Sequence, residues 1–144
     1  MEIYKATSKD IPILLELEKE FLAPYDLKGV TYEVNENPFS TVKILKADGK
    51  IVGFLDYWIT FDSATICQIA IKKEERNKGY ASFLLEDAIK DLKSKKVEFL
   101  TLEVRSENEG AIALYTKFDF KKITIKKGYY SNGDDAIYMM KGLI

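Results

Sequence analysis

The chain has 144 residues, 47% of them apolar, with 22 Lys and Arg against 23 Asp and Glu, one Cys and no His. This length and composition predict one globular domain over residues 1–144 that buries roughly 68–70% of its unfolded surface, and a formal net charge of −1 supplies no global field for nucleic acid. The lack of His excludes Ser-His-Asp triads, Cys-His dyads and His-ligated metals, and the single Cys excludes internal disulfides and thiolate clusters.

Acid–base work therefore falls to Glu, Asp, Lys, Tyr, a terminus or water. No DxDxDG-type carboxylate loop is present, so no metal is expected. The opening MEIYKATSKD has no apolar h-region, and no run of 18 apolar residues occurs. A cytoplasmic chain without membrane contact is the expectation.

Residues 2–6 read as a short strand. Ser8 or Asp10 can cap a helix with apolar positions Ile11, Leu14, Leu15 and Leu17, and Pro12 is tolerated in its first turn. A second short helix is expected from about Ala23 to Lys28. TVKILKA and KIVGFLDYWIT flank Asp48-Gly49, a hairpin signal, and SATICQIAIKK is a third strand-like run. From Ala81 the period changes: Ala81, Leu84, Leu85, Ala88 and Leu92 line one face of an amphipathic helix. EFLTLEVR returns to alternation, with Leu100, Leu102 and Val104 on one face and Thr101, Glu103 and Arg105 on the other. Asn108 can cap a helix whose inner face is Ala111, Leu114, Tyr115 and Phe118. FKKITIKK and DDAIYMMKG close the chain as strands joined by a turn at Ser131-Asn132-Gly133. The order β α α β β β α β α β β predicts an α/β fold: a mixed, mostly antiparallel sheet flanked by helices.

Four places carry candidate chemistry. Arg76-Asn77-Lys78-Gly79-Tyr80-Ala81-Ser82 joins a strand to a helix. Its Gly permits close backbone approach, and free helix N–H groups favour an anion. The pattern is neither a Walker A loop nor GxGxxG, and a plain βα turn with solvated Arg and Lys is the competing reading. Glu103, on the polar face of an apolar strand, either meets solvent or a Lys, or acts as a desolvated base. Tyr115 is either a core phenol or a proton donor at a cleft mouth. Tyr129-Tyr130 is either a hairpin brace or part of a lid.

Other residues read more plainly. Cys67 is a small apolar strand residue, because a thiol without His lacks its usual activator. Trp58 belongs to core or cleft wall. Lys121-Lys122 and Lys126-Lys127 read as a solvated edge that deters strand pairing.

From about Ile66 onward the chain resembles the GNAT-type N-acetyltransferases, whose Q/R-x-x-G-x-G/A loop is matched by RNKGYA. LEVRSENEGAIALYTKFDF followed by KKGYYSNGDDAIYMM is similar to the ribosomal-protein-alanine N-acetyltransferases within that family. Phe118-Asp119-Phe120 departs from the usual L-G-F; Asp tolerates the left-handed conformation, so the turn is expected to survive. The first 40 residues match in outline only.

The resemblance implies an acetyl-CoA-binding fold. Backbone groups of Ile69, Ala70 and Ile71 would hydrogen-bond the pantetheine arm, and Arg76, Asn77, Lys78, Gly79, Tyr80, Ala81 and Ser82 would hold the pyrophosphate. Asn108 would also reach the pantetheine arm. Glu103 matches the general base and Tyr115 the general acid, with Tyr129 and Tyr130 framing the acceptor. The implied activity is direct acetyl transfer to the α-amine of a protein N-terminus, Ala or Ser on a ribosomal protein. The same chemistry on a small-molecule amine or a lysine, and a non-catalytic CoA-binding module, stay open as alternatives.

Overall fold

Two left-handed residues, Asp48 (φ 52°) and Gly49 (φ 77°), turn the chain between β2 (Ser40–Ala47) and β3 (Lys50–Thr60) in the computed structural model, which describes all 144 residues. Positive φ at both central positions suits the right-handed twist of the flanking strands. Ahead of them lie β1 (Glu2–Lys5), α1 (Ile11–Glu18) and α2 (Leu27–Asn35). After them come β4 (Ser63–Ile71), α3 (Tyr80–Ser94), β5 (Phe99–Arg105), α4 (Glu109–Lys117), β6 (Lys121–Lys126) and β7 (Ala136–Gly142). The seven strands form one sheet in the order β1-β2-β3-β4-β5-β7-β6. Only β4 and β5 run parallel; every other pair is antiparallel.

The second helix lies further along the chain than its expected span of Ala23 to Lys28. Asp26 caps it by accepting from the Gly29 N–H at 2.8 Å, and the helix runs from Leu27 to Asn35. Pro24 disfavours helical geometry at Ala23 and so delays the start. At α1 the N-cap is Asp10, one of the two residues expected there; a 3₁₀ turn over Ser8–Asp10 precedes the helix, and the Thr7 N–H donates to Asp10 Oδ2 at 2.9 Å. Asp119 adopts φ 67°, so the turn after α4 survives without Gly.

Two apolar cores lie on opposite faces. The larger joins Leu84, Leu85, Ala88 and Leu92 of α3 to Leu55, Tyr57, Leu100, Leu102, Val104 and Tyr115. The smaller joins Leu14, Leu17 and Val30 of the first two helices to Val42, Ile44, Phe54 and Ala70.

β4 serves both cores. Asp56 pairs with Gln68 but Tyr57 pairs with Ile66, so Cys67 is a bulge, not the ordinary strand residue expected. Ala64 and Ile66 face the larger core; beyond the bulge the faces swap, and Ala70 enters the smaller one while Ile69 and Ile71 turn to the larger.

β6 is the sheet's outer edge, and every one of its residues is exposed, three of them Lys. No helix is long and apolar enough to cross a membrane, and no group of three or more Asp, Glu, Cys or His is arranged to hold a metal ion.

Candidate functional site

The parallel ladder between β4 and β5 lasts only three residue pairs, Ser63↔Phe99, Ala64↔Leu100 and Thr65↔Thr101. Beyond them the strands splay and leave a gap in the middle of the sheet. The ladder phases show which backbone groups face it. The Lys72 N–H donates to Val52 O at 2.8 Å, which makes Phe54/Ala70 and Asp56/Gln68 the bonded pairs and leaves the polar groups of Ile69 and Ile71 pointing into the gap. From the other wall, Leu143 N–H to Glu98 O at 2.8 Å sets the phase so that the Glu103 main chain faces the gap too. Of the three residues expected to offer backbone there, Ala70 does not, because its N–H and C=O belong to the ladder with β3. The Ile71 carbonyl accepts from Arg76 Nε at 3.2 Å.

The loop at the end of β4 turns twice through left-handed geometry, at Asn77 (φ 64°) and Gly79 (φ 82°). Gly79 is the N-cap of α3; no side chain caps this end and no acid lies in the first turn. The first N–H groups, on Tyr80, Ala81 and Ser82, therefore point out of the helix at the positive end of its dipole. Both loop cations have partners: Arg76 lies 3.3 Å from Glu20, and Lys78 lies 2.9 Å from Glu75. Across the gap, Asn108 caps α4 by accepting from the Ala111 N–H at 3.2 Å, and remains exposed.

Glu103 sits on the face of β5 that α3 and α4 do not cover. It pairs across the ladder with Tyr138, and its Oε2 lies 2.7 Å from Lys126 Nζ. The carboxylate thus has the Lys partner that one of its two sequence readings expected. Lys126 is accordingly not the merely solvated edge residue expected of it. Tyr129 and Tyr130 stand edge to face with centroids 5.1 Å apart. Burial and then the Glu103 charge raise both phenols above the ordinary Tyr value, Tyr130 to about 12. The hairpin tip that carries them is braced by Arg105 to Asp134 at 2.6 Å and by the Tyr130 N–H to Asp134 O at 3.1 Å.

Tyr115 is 5% exposed and packs edge to face on Phe120 at 5.5 Å. Burial, and secondarily the neighbouring Tyr130, push its phenol well above the usual value, so it stays protonated at neutral pH. Glu103 thus lies near Tyr129 and Tyr130 on the β5 side of the gap, Tyr115 lies in the core under α4 near Tyr130, and the α3 N-terminus stands on the β4 side.

Sequence reasoning missed a cluster of buried acids behind the bulge: Glu18, Glu33 and Asp56 are 2%, 7% and 1% exposed. Glu18 accepts from the Tyr25 N–H at 2.7 Å and from Gln68 Nε2 at 2.9 Å. Glu33 accepts from Trp58 Nε1 at 2.6 Å and Asn37 Nδ2 at 2.7 Å. Burial, reinforced by Glu33 and Glu18, pushes the Asp56 carboxyl up to about 10. Burial opposes ionisation of Glu33 as well, but bonds from Asp56, Asn37 and Trp58 together hold it low. Asp56 is thus the proton donor of the pair and Glu33 the carboxylate. The signal was an acid inside the apolar run KIVGFLDYWIT. Trp58 is half-buried, and its indole serves this cluster.

A sheet split between β4 and β5, with an uncapped helix N-terminus at the mouth of the split, defines an acyltransferase of one class: the chain belongs to the Acetyltransferase (GNAT) family, which matches residues 11–120. It is an N-acetyltransferase. It is similar to the [ribosomal protein bS18]-alanine N-acetyltransferase of Escherichia coli K12, with 34% identity over 134 residues that cover 90% of this chain and 89% of that one. A Bacillus subtilis relative is 36% identical over 133 residues, covering 91% of this chain and 88% of its own. The crystal structure of the ribosomal-protein-S18-alanine N-acetyltransferase from Escherichia coli superposes with a TM-score of 0.88 at 31% identity, over 99% of this chain and 93% of that one.

Proposed function

We propose that this chain transfers the acetyl group of acetyl-CoA to the α-amine of a protein N-terminus, the acceptor being a ribosomal protein. The observation that carries the reading is the gap, where the backbone of Ile69 and Ile71, off the β3 ladder, faces the Glu103 main chain on the other wall. The relatives named for bS18-alanine acetylation favour the acceptor class.

Acetyl-CoA supplies the thioester from which the acetyl group leaves. The chain's own groups fit such a ligand. Ile69 and Ile71 offer strand-like N–H and C=O positions to an amide-bearing arm, and Ala70 keeps the register by bonding to β3. The free N–H groups of Tyr80, Ala81 and Ser82, with Arg76, Asn77, Lys78 and Gly79 around them, suit a pyrophosphate. Asn108, exposed at the cap of α4, is assigned to the same arm.

An α-amine has an ordinary pKa of about 7.7–8.0, so a carboxylate is base enough to take its proton, directly or through water. Glu103 fills that role. Tyr115, held protonated by burial, carries the proton that the departing thiolate needs. Tyr129 and Tyr130 frame the acceptor's path.

Acetyl-CoA consumption with short peptides bearing free Ala, Ser, Met or Gly termini tests the reading, with a polyamine and an N-blocked Lys peptide alongside. Transfer to α-amines alone is expected. Glu103→Gln and Tyr115→Phe are expected to keep CoA binding and lose roughly 10²–10⁴ in kcat. Transfer confined to the polyamine or the Lys peptide, or wild-type rates in both variants, overturns it.

A further inference from the structure

Lys126 Nζ is enclosed on three sides. It lies 2.7 Å from Glu103 Oε2, 5.3 Å from the centroid of the Tyr129 ring and 5.1 Å from that of Tyr138. Two aromatic faces and a carboxylate make an ammonium receptor, since the ring faces attract a cation and the carboxylate accepts its N–H. The fold does not depend on filling that receptor: Lys126 ends an exposed edge strand. The neighbouring cations are committed elsewhere, Arg105 to Asp134 at 2.6 Å and Lys127 to Asp135 at 3.2 Å. Lys126 is thus the chain's own primary ammonium, placed on the residue read above as the base.

The geometry points to a cage of Glu103, Tyr129 and Tyr138 that binds the acceptor's α-ammonium, held in the free protein by Lys126, which the acceptor must displace. This rests on the assignment of Glu103 to the acceptor. It gives Lys126 the part of a competitor, a positioning residue that keeps the carboxylate occupied until a second primary ammonium arrives. It also makes Tyr138, on β7, an acceptor-site residue that no motif pointed to. The exchange costs the acceptor little, because the ion pair is partly solvated: the Lys126 and Glu103 side chains are 43% and 29% exposed.

The test is the affinity for an Ala-initiated peptide, by calorimetry on the CoA-loaded protein and by KM in turnover. Lys126→Met is expected to lower both constants roughly two- to fivefold, the range of a partly exposed ion pair. The KM for acetyl-CoA stays unchanged, and Lys126→Arg stays near wild type because the cage also holds a guanidinium. In a Glu103→Gln background the calorimetric gain from Lys126→Met disappears. A peptide affinity that is unchanged or weakened in Lys126→Met overturns the cage, as does binding undetectable in both proteins. The calorimetric readout does not depend on turnover, so failure of Glu103 as base, seen as wild-type kcat in Glu103→Gln, is distinguished from failure of the cage.

Discussion

Asp56 is 1% exposed, its Oδ1 has no hydrogen-bond partner, and its carboxyl is pushed from 3.8 up to about 10, by burial first and then by Glu33 and Glu18. A folded pKa above the unfolded one means that the stabilisation is complete below pH 3.8 and is lost as pH rises toward about 10. At about 1.36 kcal/mol for each of the roughly three pH units up to neutrality, the ceiling on the loss is about 4 kcal/mol. The lowered pKa of Glu33 runs the other way and offsets part of it. Asp56→Asn keeps the shape and keeps an N–H to donate to Glu33, but has no proton to acquire. We expect it to stabilise the protein by ~1–3 kcal/mol at pH 7.5 and by little at pH 4.5. Thermal unfolding followed by circular dichroism at several pH values reads this as a Tm gain of about 3–10 °C that grows with pH. A Tm lowered equally at both pH values would refute the argument, since it would mean that Asp56 is held as a carboxylate by partners an amide cannot replace.

Gly53 faces β4 so closely that an added Cβ would lie 2.5 Å from the Ala70 carbonyl and 2.6 Å from Ile71 Cδ1. Gly53→Ala should cost ~1–3 kcal/mol in urea unfolding and weaken CoA binding by shifting the gap wall; unchanged stability would show that β4 yields freely. Asp119 holds φ 67° without a glycine, so Asp119→Gly should raise stability by up to ~1 kcal/mol in the same assay, and a loss would refute the strain.

The element order was legible because period and turn chemistry agreed over most of the chain. Of the run at Ala81, Leu84, Leu85, Ala88 and Leu92, the last four pack as their spacing requires while Ala81, in the first turn, stays outside the core, and Asp48-Gly49 turns as its chemistry requires. The second helix was displaced because Gly29 and the β-branched Val30 and Thr31 blur its period, while the Asp26 cap fixes its start. Glu103, Tyr115 and the Arg76–Ser82 loop stood out as local patterns. The Lys126 cage and the buried acids did not, because each is assembled across strands: Lys126 meets Tyr138 only through the pairing of β6 with β7, and Glu33 meets Trp58 across 25 positions of sequence. The bulge at Cys67 was invisible for a further reason. The buried and half-buried residues of β4 alternate without a break, so the burial pattern reads as one regular strand although its faces have exchanged.

That single surplus residue makes β4 a crankshaft. Residues on either side of Cys67 turn on opposite throws, one engaging α3 and the other engaging α1 and α2. Drawing Cys67 into a regular ladder with every residue kept would bring the two throws into line, driving Gln68 into the apolar core beneath α3 and costing Glu18 one of its two donors. Deleting Cys67 would instead leave Ile66 and Gln68 adjacent, and so on opposite faces as they are now. The quantity that counts here is therefore the phase between the two throws, which loss of the surplus residue keeps and flattening of the bulge destroys.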